Sequence, residues 1–152
     1  MKKLDKILYT AKAHTTGGRE GGVSRTDDGR LQVALAQPGA SGTGTNPEQL
    51  LAAGWSACFL SAIKLIAGKK KIALPAEVAI DAEVYLGLTQ GAYGLGAGLN
   101  ASLPGMDQAA AQSLVEDASH ICPYSVALSG SIEVKYNVTT SEPAERRETV
   151  HA

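Results

Sequence analysis

The sequence predicts an α+β fold, a mostly antiparallel sheet carrying two helices in the order β-β-β-α-β-β-α-β. Three observations predict it. Alternating apolar and polar residues mark paired strands, clearest across 78–88 and 93–103, with the turn Gln90-Gly91-Ala92 between these two. A long apolar run, 50–67, follows a strong helix start. A second helical pattern spans 107–120. Short links between successive strands make hairpins, and hairpins make antiparallel sheets.

The first strand is expected at 4–15, where Ile7, Tyr9, Ala11 and Ala13 alternate with polar neighbours. Gly17-Gly18-Arg19-Glu20-Gly21-Gly22 follows as a glycine-rich stretch around two charges. A short strand at 23–26 leads to Asp28-Gly29, a hairpin signal because glycine accepts the positive φ of a tight turn. Leu31, Val33 and Leu35 alternate on the return strand, and 37–45 is a loop by composition.

Asn46-Pro47-Glu48-Gln49 then starts a helix. Asn46 caps the free N–H groups, Pro47 sits where no N–H is missed, and Gln49 gives capping-box spacing. The helix is apolar on nearly all sides, which implies burial on all sides. Gly68 and Lys69-Lys70-Lys71 end it.

Val78, Ile80, Ala82, Val84, Leu86 and Leu88 form one face of the next strand. Tyr93, Leu95, Ala97, Leu99, Ala101 and Leu103 form one face of its partner. Pro104-Gly105 breaks the pattern, and Asp107 caps a helix with Ala110, Leu114, Val115 and Ala118 inward. Ile132, Val134, Tyr136 and Val138 make the last strand, and a polar tail from 141 to 152 is expected to fray.

Composition narrows the function. The chain has 152 residues, 44% of them hydrophobic, and a net charge of −1. That suits one domain with a proper core and gives no electrostatic footprint for nucleic acid. No apolar h-region follows the first lysines, so the cytoplasm is the expected compartment. The run 50–67 is interrupted by Gly54, Ser56, Ser61 and Lys64, which favours a core helix over a membrane span. A helix apolar all round needs cover beyond one sheet, and this implies a second copy of the chain.

The chemistry centres on two cysteines, Cys58 in the apolar helix and Cys122 in His120-Ile121-Cys122-Pro123-Tyr124-Ser125. A chain expected in a reducing compartment keeps these as thiols, so two thiols that meet there point to redox chemistry. The bland alternative is a pair of buried cysteines packed as small hydrophobes. A reactive thiolate in an apolar setting needs a cation. Arg19 is the candidate, against a solvated loop arginine. Glu48 is the carboxylate to hold it, against a dipole-stabilising acid in a first helical turn. Ten residues of helix separate Glu48 from Cys58, about 15 Å. Three solutions stay open: Arg19 bridges the gap, the helix starts late or breaks near Gly54, or a partner chain supplies Arg19 and Glu48, the last being preferred. A helix start at Cys122-Pro123 would favour a Cys122 thiolate. Gly94-Leu95-Gly96-Ala97-Gly98 mimics a phosphate loop but lies in a strand pattern. Cys122-Pro123-Tyr124-Ser125 looks like a monothiol glutaredoxin motif but sits at the wrong end of the chain. His120 and Cys122 lack the further ligands of a metal site.

The segment from Thr45 to Phe59, Thr45-Asn46-Pro47-Glu48-Gln49-Leu50-Leu51-Ala52-Ala53-Gly54-Trp55-Ser56-Ala57-Cys58-Phe59, resembles the peroxidatic-cysteine helix of the OsmC/Ohr family. Gly17-Gly18-Arg19-Glu20-Gly21 and His120-Ile121-Cys122-Pro123-Tyr124-Ser125 match its other two motifs in order and spacing. The likeness is to the organic hydroperoxide resistance branch and covers a single domain, 1–140. It implies an OsmC-like fold, an intertwined homodimer, and a thiol peroxidase acting on organic hydroperoxides, including those of fatty acids. By resemblance Cys58 is the peroxidatic and Cys122 the resolving cysteine, joined in a disulfide during turnover. Arg19 and Glu48 stabilise the thiolate and orient the peroxide. The resemblance implies no cofactor or metal, and a lipoylated protein as electron donor. Leu51, Trp55 and Phe59 are the expected apolar contacts for substrate. The alternatives are an OsmC-branch peroxidase of broader preference, and a non-enzymatic apolar-ligand or redox-sensing module.

Overall fold

The computed structural model describes residues 2–142, so the tail expected to fray lies, from 143 on, outside the described residues. The element order is β1 (Ala13–Thr16), β2 (Val23–Thr26), β3 (Gln32–Ala34), α1 (Pro47–Lys70), β4 (Ala79–Thr89), β5 (Ala92–Ser102), α2 (Gln108–Ile121), α3 (Pro123–Leu128) and β6 (Glu133–Thr139). The α+β class holds, with three helices where two were expected and two three-stranded sheets where one was expected. The chain divides into two compact units, Met1–Leu50 and Leu51–Ala152.

In the first unit β1, β2 and β3 form an antiparallel sheet, with Thr16 opposite Val23 and Val23 opposite Ala34. The first strand is shorter than its alternation suggests. Residues 4–11 lack ladder partners, Lys12 contributes only its carbonyl to the Asp27 N–H, and Leu4, Ile7, Leu8 and Tyr9 stand exposed. Alternation marks a strand-competent segment, but a strand also needs a neighbour to accept its hydrogen bonds. The β2–β3 turn is the expected one. Gly29 takes φ 69°, and the Asp28 carboxylate accepts from Thr26 and from the Arg30 N–H.

Helix α1 starts as its capping residues dictate: the Asn46 side-chain oxygen accepts from the Gln49 N–H at 2.8 Å. Gln49 does not close a capping box, because its side-chain oxygen instead accepts from the Thr45 hydroxyl at 2.7 Å. The helix runs through Gly68 to Lys70, and Lys71, at φ 55°, turns the chain out. The Ile72 N–H closes that end on the Ala67 carbonyl. Burial is one-sided rather than all-round. Trp55, Phe59, Ala62, Ile63 and Ala67 are buried, while Ala53, Ala57, Ser61 and Leu65 face outward.

In the second unit β4 and β5 pair antiparallel over their full length through the turn at Gln90-Gly91, both in positive φ, as tight hairpins prefer. β6 then lies parallel to β5, with Gly96 opposite Glu133 and Ser102 opposite Thr139. Parallel neighbours require a long crossover, and α2 and α3 provide it. Asp107 caps α2 as expected, accepting from the Ala110 N–H at 2.9 Å. Ala111, not Ala110, joins Leu114, Val115 and Ala118 on the buried face. The core gathers these residues with Trp55, Phe59, Ile63, Ala97, Leu99, Ala101, Leu103 and Cys122. Alternation predicts the inner half of the hairpin well. Toward its tip Leu86, Leu88, Tyr93 and Leu95 are exposed.

Candidate active site

Two sets of chemically competent side chains stand out, one in each unit. In the first unit the close-packed turn after β1 presents Arg19. The Gly22 N–H bonds the Gly18 carbonyl at 3.0 Å, and a Cβ on Gly22 would meet the Thr16 carbonyl oxygen at 2.0 Å, so no larger residue fits there. Arg19 donates both guanidinium N–H arms to Glu48, at 3.1 and 3.3 Å. This fork holds the cation in a fixed plane. The carboxylate is the more buried partner, at 12% exposed against 33% for the arginine. Arg19 and Glu48 are thus partners within one chain. α1 is unbroken from Pro47 to Lys70, which removes a late start or a break at Gly54 as ways of shortening the distance from Glu48 to Cys58.

In the second unit, Cys58 and Cys122 approach to 3.5 Å between sulfurs, both as free thiols. Cys58 sits midway along α1 and is partly exposed; Cys122 is fully buried. Cys122 closes α2 and opens α3 at once: its N–H bonds the Ala118 carbonyl, and its own carbonyl accepts from Val126. The helix start expected at Cys122-Pro123 is therefore real, with Pro123 in the first position. The Cys122 side chain makes no cap bond at that start. Burial pushes the Cys58 thiol up from its ordinary value; the Tyr124 N–H opposes that, and the neighbouring Cys122 thiol adds to the rise.

The walls are aromatic. Trp55 and Phe59 are fully enclosed in the core, and Leu51 packs at its edge with part of its surface open. Of the three expected apolar contacts, Leu51 alone keeps an exposed face. Trp55 stacks with Tyr124 at 6.5 Å between ring centres, and Phe59 lies 5.5 Å from Tyr136. Gly54 makes room for this: a Cβ there would meet the Tyr124 hydroxyl at 3.0 Å. The Trp55 indole N–H donates to the buried Ser125 hydroxyl at 3.0 Å. Gly54, Tyr124, Ser125 and Tyr136 were missed as site residues by sequence reasoning. Tyr124 and Ser125 adjoin Cys122 in the chain, but their partners Gly54 and Trp55 lie about 70 positions away.

The arrangement can carry two-electron thiol chemistry. One sulfur is accessible, a second is within reach of it, and apolar side chains surround both. Comparison with known proteins shows the family. The family model described as OsmC-like protein matches residues 39–137. The organic hydroperoxide resistance protein of Xanthomonas axonopodis pv. citri is 47% identical over 137 residues, covering 88% of this chain and 96% of that one. Organic hydroperoxide resistance protein OhrB of Bacillus subtilis is 37% identical over 131 residues, 84% of this chain and 96% of that one. The crystal structure of an organic hydroperoxide resistance protein from Legionella pneumophila superimposes with a TM-score of 0.82 at 43% identity, covering 89% of this chain and all of that one. With its motifs, its fold and its length matched in these ways, the chain belongs to the OsmC-like family, among relatives named for organic hydroperoxide resistance.

Proposed function

We propose that this protein is a thiol-dependent peroxidase that reduces organic hydroperoxides, fatty-acid hydroperoxides among them, to alcohols. The observation that carries the reading is the pair of free sulfurs 3.5 Å apart, the accessible one on α1 and the buried one at the α2–α3 junction. The names of the relatives support the substrate class. In the proposed cycle the Cys58 thiolate attacks the distal peroxide oxygen. The O–O bond breaks, the alkoxide leaves and takes a proton to become the alcohol, and Cys58 becomes a sulfenic acid. The Cys122 sulfur then displaces hydroxide from Cys58, which leaves as water, and a disulfide forms. A dithiol, in this reading the dihydrolipoyl group of a lipoylated protein, reduces it by exchange. No step needs a metal or an organic cofactor.

Burial alone disfavours the Cys58 thiolate, so this chemistry demands a cation. We assign that role to Arg19, held charged and oriented by Glu48, and leave open which copy of the chain supplies the pair. Leu51 is the apolar contact for the organic group, with Trp55 and Phe59 as the closed wall behind Cys58. The active form in this reading is a homodimer. Exposed Leu4, Ile7, Leu8 and Tyr9, the outward row Ala53, Ala57, Ser61 and Leu65, and the hairpin tip Leu88 and Tyr93 together leave apolar surface that a second copy would cover. Two free thiols suit a reducing compartment such as the cytoplasm.

The test is consumption of a fatty-acid hydroperoxide and of hydrogen peroxide with dihydrolipoamide as sole reductant. Fast turnover of the organic peroxide and much slower turnover of hydrogen peroxide are expected. No turnover of either, with both thiols titratable, would move the protein to a binding or sensing role. The cation is tested separately. Attack needs the thiolate, so its rate climbs with pH through the Cys58 titration and then levels. Arg19→Ala should move that midpoint upward and slow attack near pH 7 by about ten- to a hundredfold, one to two pKa units, while the high-pH plateau is kept. A thiol titration unchanged by the substitution would remove Arg19 from this role.

A further inference from the structure

Ser125 is the one buried polar side chain among the described residues, at 1% exposed, and it lies where α3 meets α1. From α1, Trp55 donates its indole N–H to the Ser125 hydroxyl at 3.0 Å. Ser125 itself is in α3, three residues after Cys122. An indole nitrogen only donates, so the Ser125 oxygen accepts from Trp55. No buried side-chain polar atom among the described residues lacks a partner, and this is the bond that satisfies the Trp55 indole. Trp55 is three residues before Cys58, nearly one helical turn. The bond thus ties the residue flanking one sulfur to the residue flanking the other, through a hydroxyl that touches neither.

The geometry of the cysteines says what such a tie is for. Their sulfurs stand at 3.5 Å, and a disulfide requires about 2.0 Å, so they must close by about 1.5 Å. Cys122 ends one helix and begins the next, with extended backbone at φ −62° and ψ 119° between them. That is a joint, and the short α3 beyond it would be free to swing were it held only by apolar contact. Dispersion contacts are non-directional, whereas a hydrogen bond fixes orientation. A misplacement of about 1 Å at a reacting pair can cost about a hundredfold in rate.

We propose that Ser125 is a positioning residue for the resolving step: through its bond to Trp55 it fixes α3 against α1 so that the Cys122 sulfur meets the Cys58 sulfenic sulfur in line. This rests on the peroxidase reading above. In the step concerned, the Cys122 sulfur bonds to the Cys58 sulfur and the S–O bond breaks. The departing hydroxide takes up the thiol proton as water, and the oxidising equivalents come from the hydroperoxide already spent.

The experiment uses the full-length protein, fully reduced and mixed with one equivalent of an organic hydroperoxide. Sulfenic acid is captured with dimedone and disulfide counted by mass spectrometry at successive quench times, so that attack and condensation are timed separately. In Ser125→Ala, condensation should slow at least tenfold more than attack. Dimedone-labelled Cys58 should accumulate, and less peroxide should suffice for overoxidation. Ser125→Thr, which keeps the hydroxyl, should restore condensation to within a few-fold. Trp55→Phe, which keeps an aromatic ring and removes the indole donor, should slow condensation in the same sense and serves if the alanine variant fails to fold. Condensation as fast in both Ser125→Ala and Trp55→Phe as in the wild type would overturn the proposal and leave the peroxidase reading intact. A wild type that forms neither sulfenic acid nor disulfide would overturn both.

Discussion

Cys58→Ser is expected to reduce steady-state turnover of an organic hydroperoxide to background, a fall of at least about a thousandfold. The serine hydroxyl keeps the volume and a hydrogen bond, so the core around Trp55, Phe59 and Ile63 should be undisturbed and the protein should fold as the parent does. What is lost is the nucleophile. A hydroxyl stays protonated at neutral pH, and oxygen cannot accept a second oxygen as sulfur does. Cys122 cannot substitute, because it is fully enclosed and has no open face for a peroxide. The check is a turnover assay alongside a circular dichroism melt. Retained activity in a folded Cys58→Ser protein would end the assignment of Cys58, and a normal melt with no activity would support it.

Cys122→Ser should separate the two halves of the cycle. Attack by Cys58 should proceed and release one alcohol per active thiol. The sulfenic acid then lacks its partner, and excess peroxide drives it to the sulfinic acid. Turnover with dithiol should fall about a hundredfold, because an external thiol at millimolar concentration replaces one held 3.5 Å away, whose effective molarity is far higher. A burst of one equivalent followed by slow, peroxide-sensitive turnover is the expected trace. Unchanged multiple turnover without overoxidation would show that Cys122 is not the resolving residue.

How far these features could be read from the chain depended on the range of the interaction. Asn46 and Asp107 cap their helices as their positions suggest, since a cap reaches only three residues. The alternation of β4 and β5 is read correctly wherever one face meets the core, at Ala97, Leu99 and Ala101. It stops predicting burial at Leu88 and Tyr93, where the single chain offers nothing to pack on. The expected strand at 4–15 shrinks to Ala13–Thr16 for the same reason. The parallel placement of β6 goes unread: its apolar pattern is the same in either direction, and the helix predicted at 107–120 between two strands is not recognised there as the crossover it is. At the site, reactive residue types stood out by their chemistry, and the structure brings Cys58 to Cys122 and Arg19 to Glu48. Trp55 reads as an apolar contact for substrate and Tyr124 only as a member of the Cys122 motif. Their roles come from a hydrogen bond and a stacking contact that span about 70 residues of sequence.

Trp55 is the single tryptophan in the chain, and it lies three residues from Cys58, against Tyr124 and on Ser125. Its emission therefore comes from one known place. An indole shut away from water emits toward the blue, and its intensity depends on nearby electron acceptors, of which a disulfide is an efficient one. Closure of the proposed disulfide is therefore expected to quench that one fluorophore, a change diluted by no other and followed in real time without a label by recording emission as hydroperoxide is added.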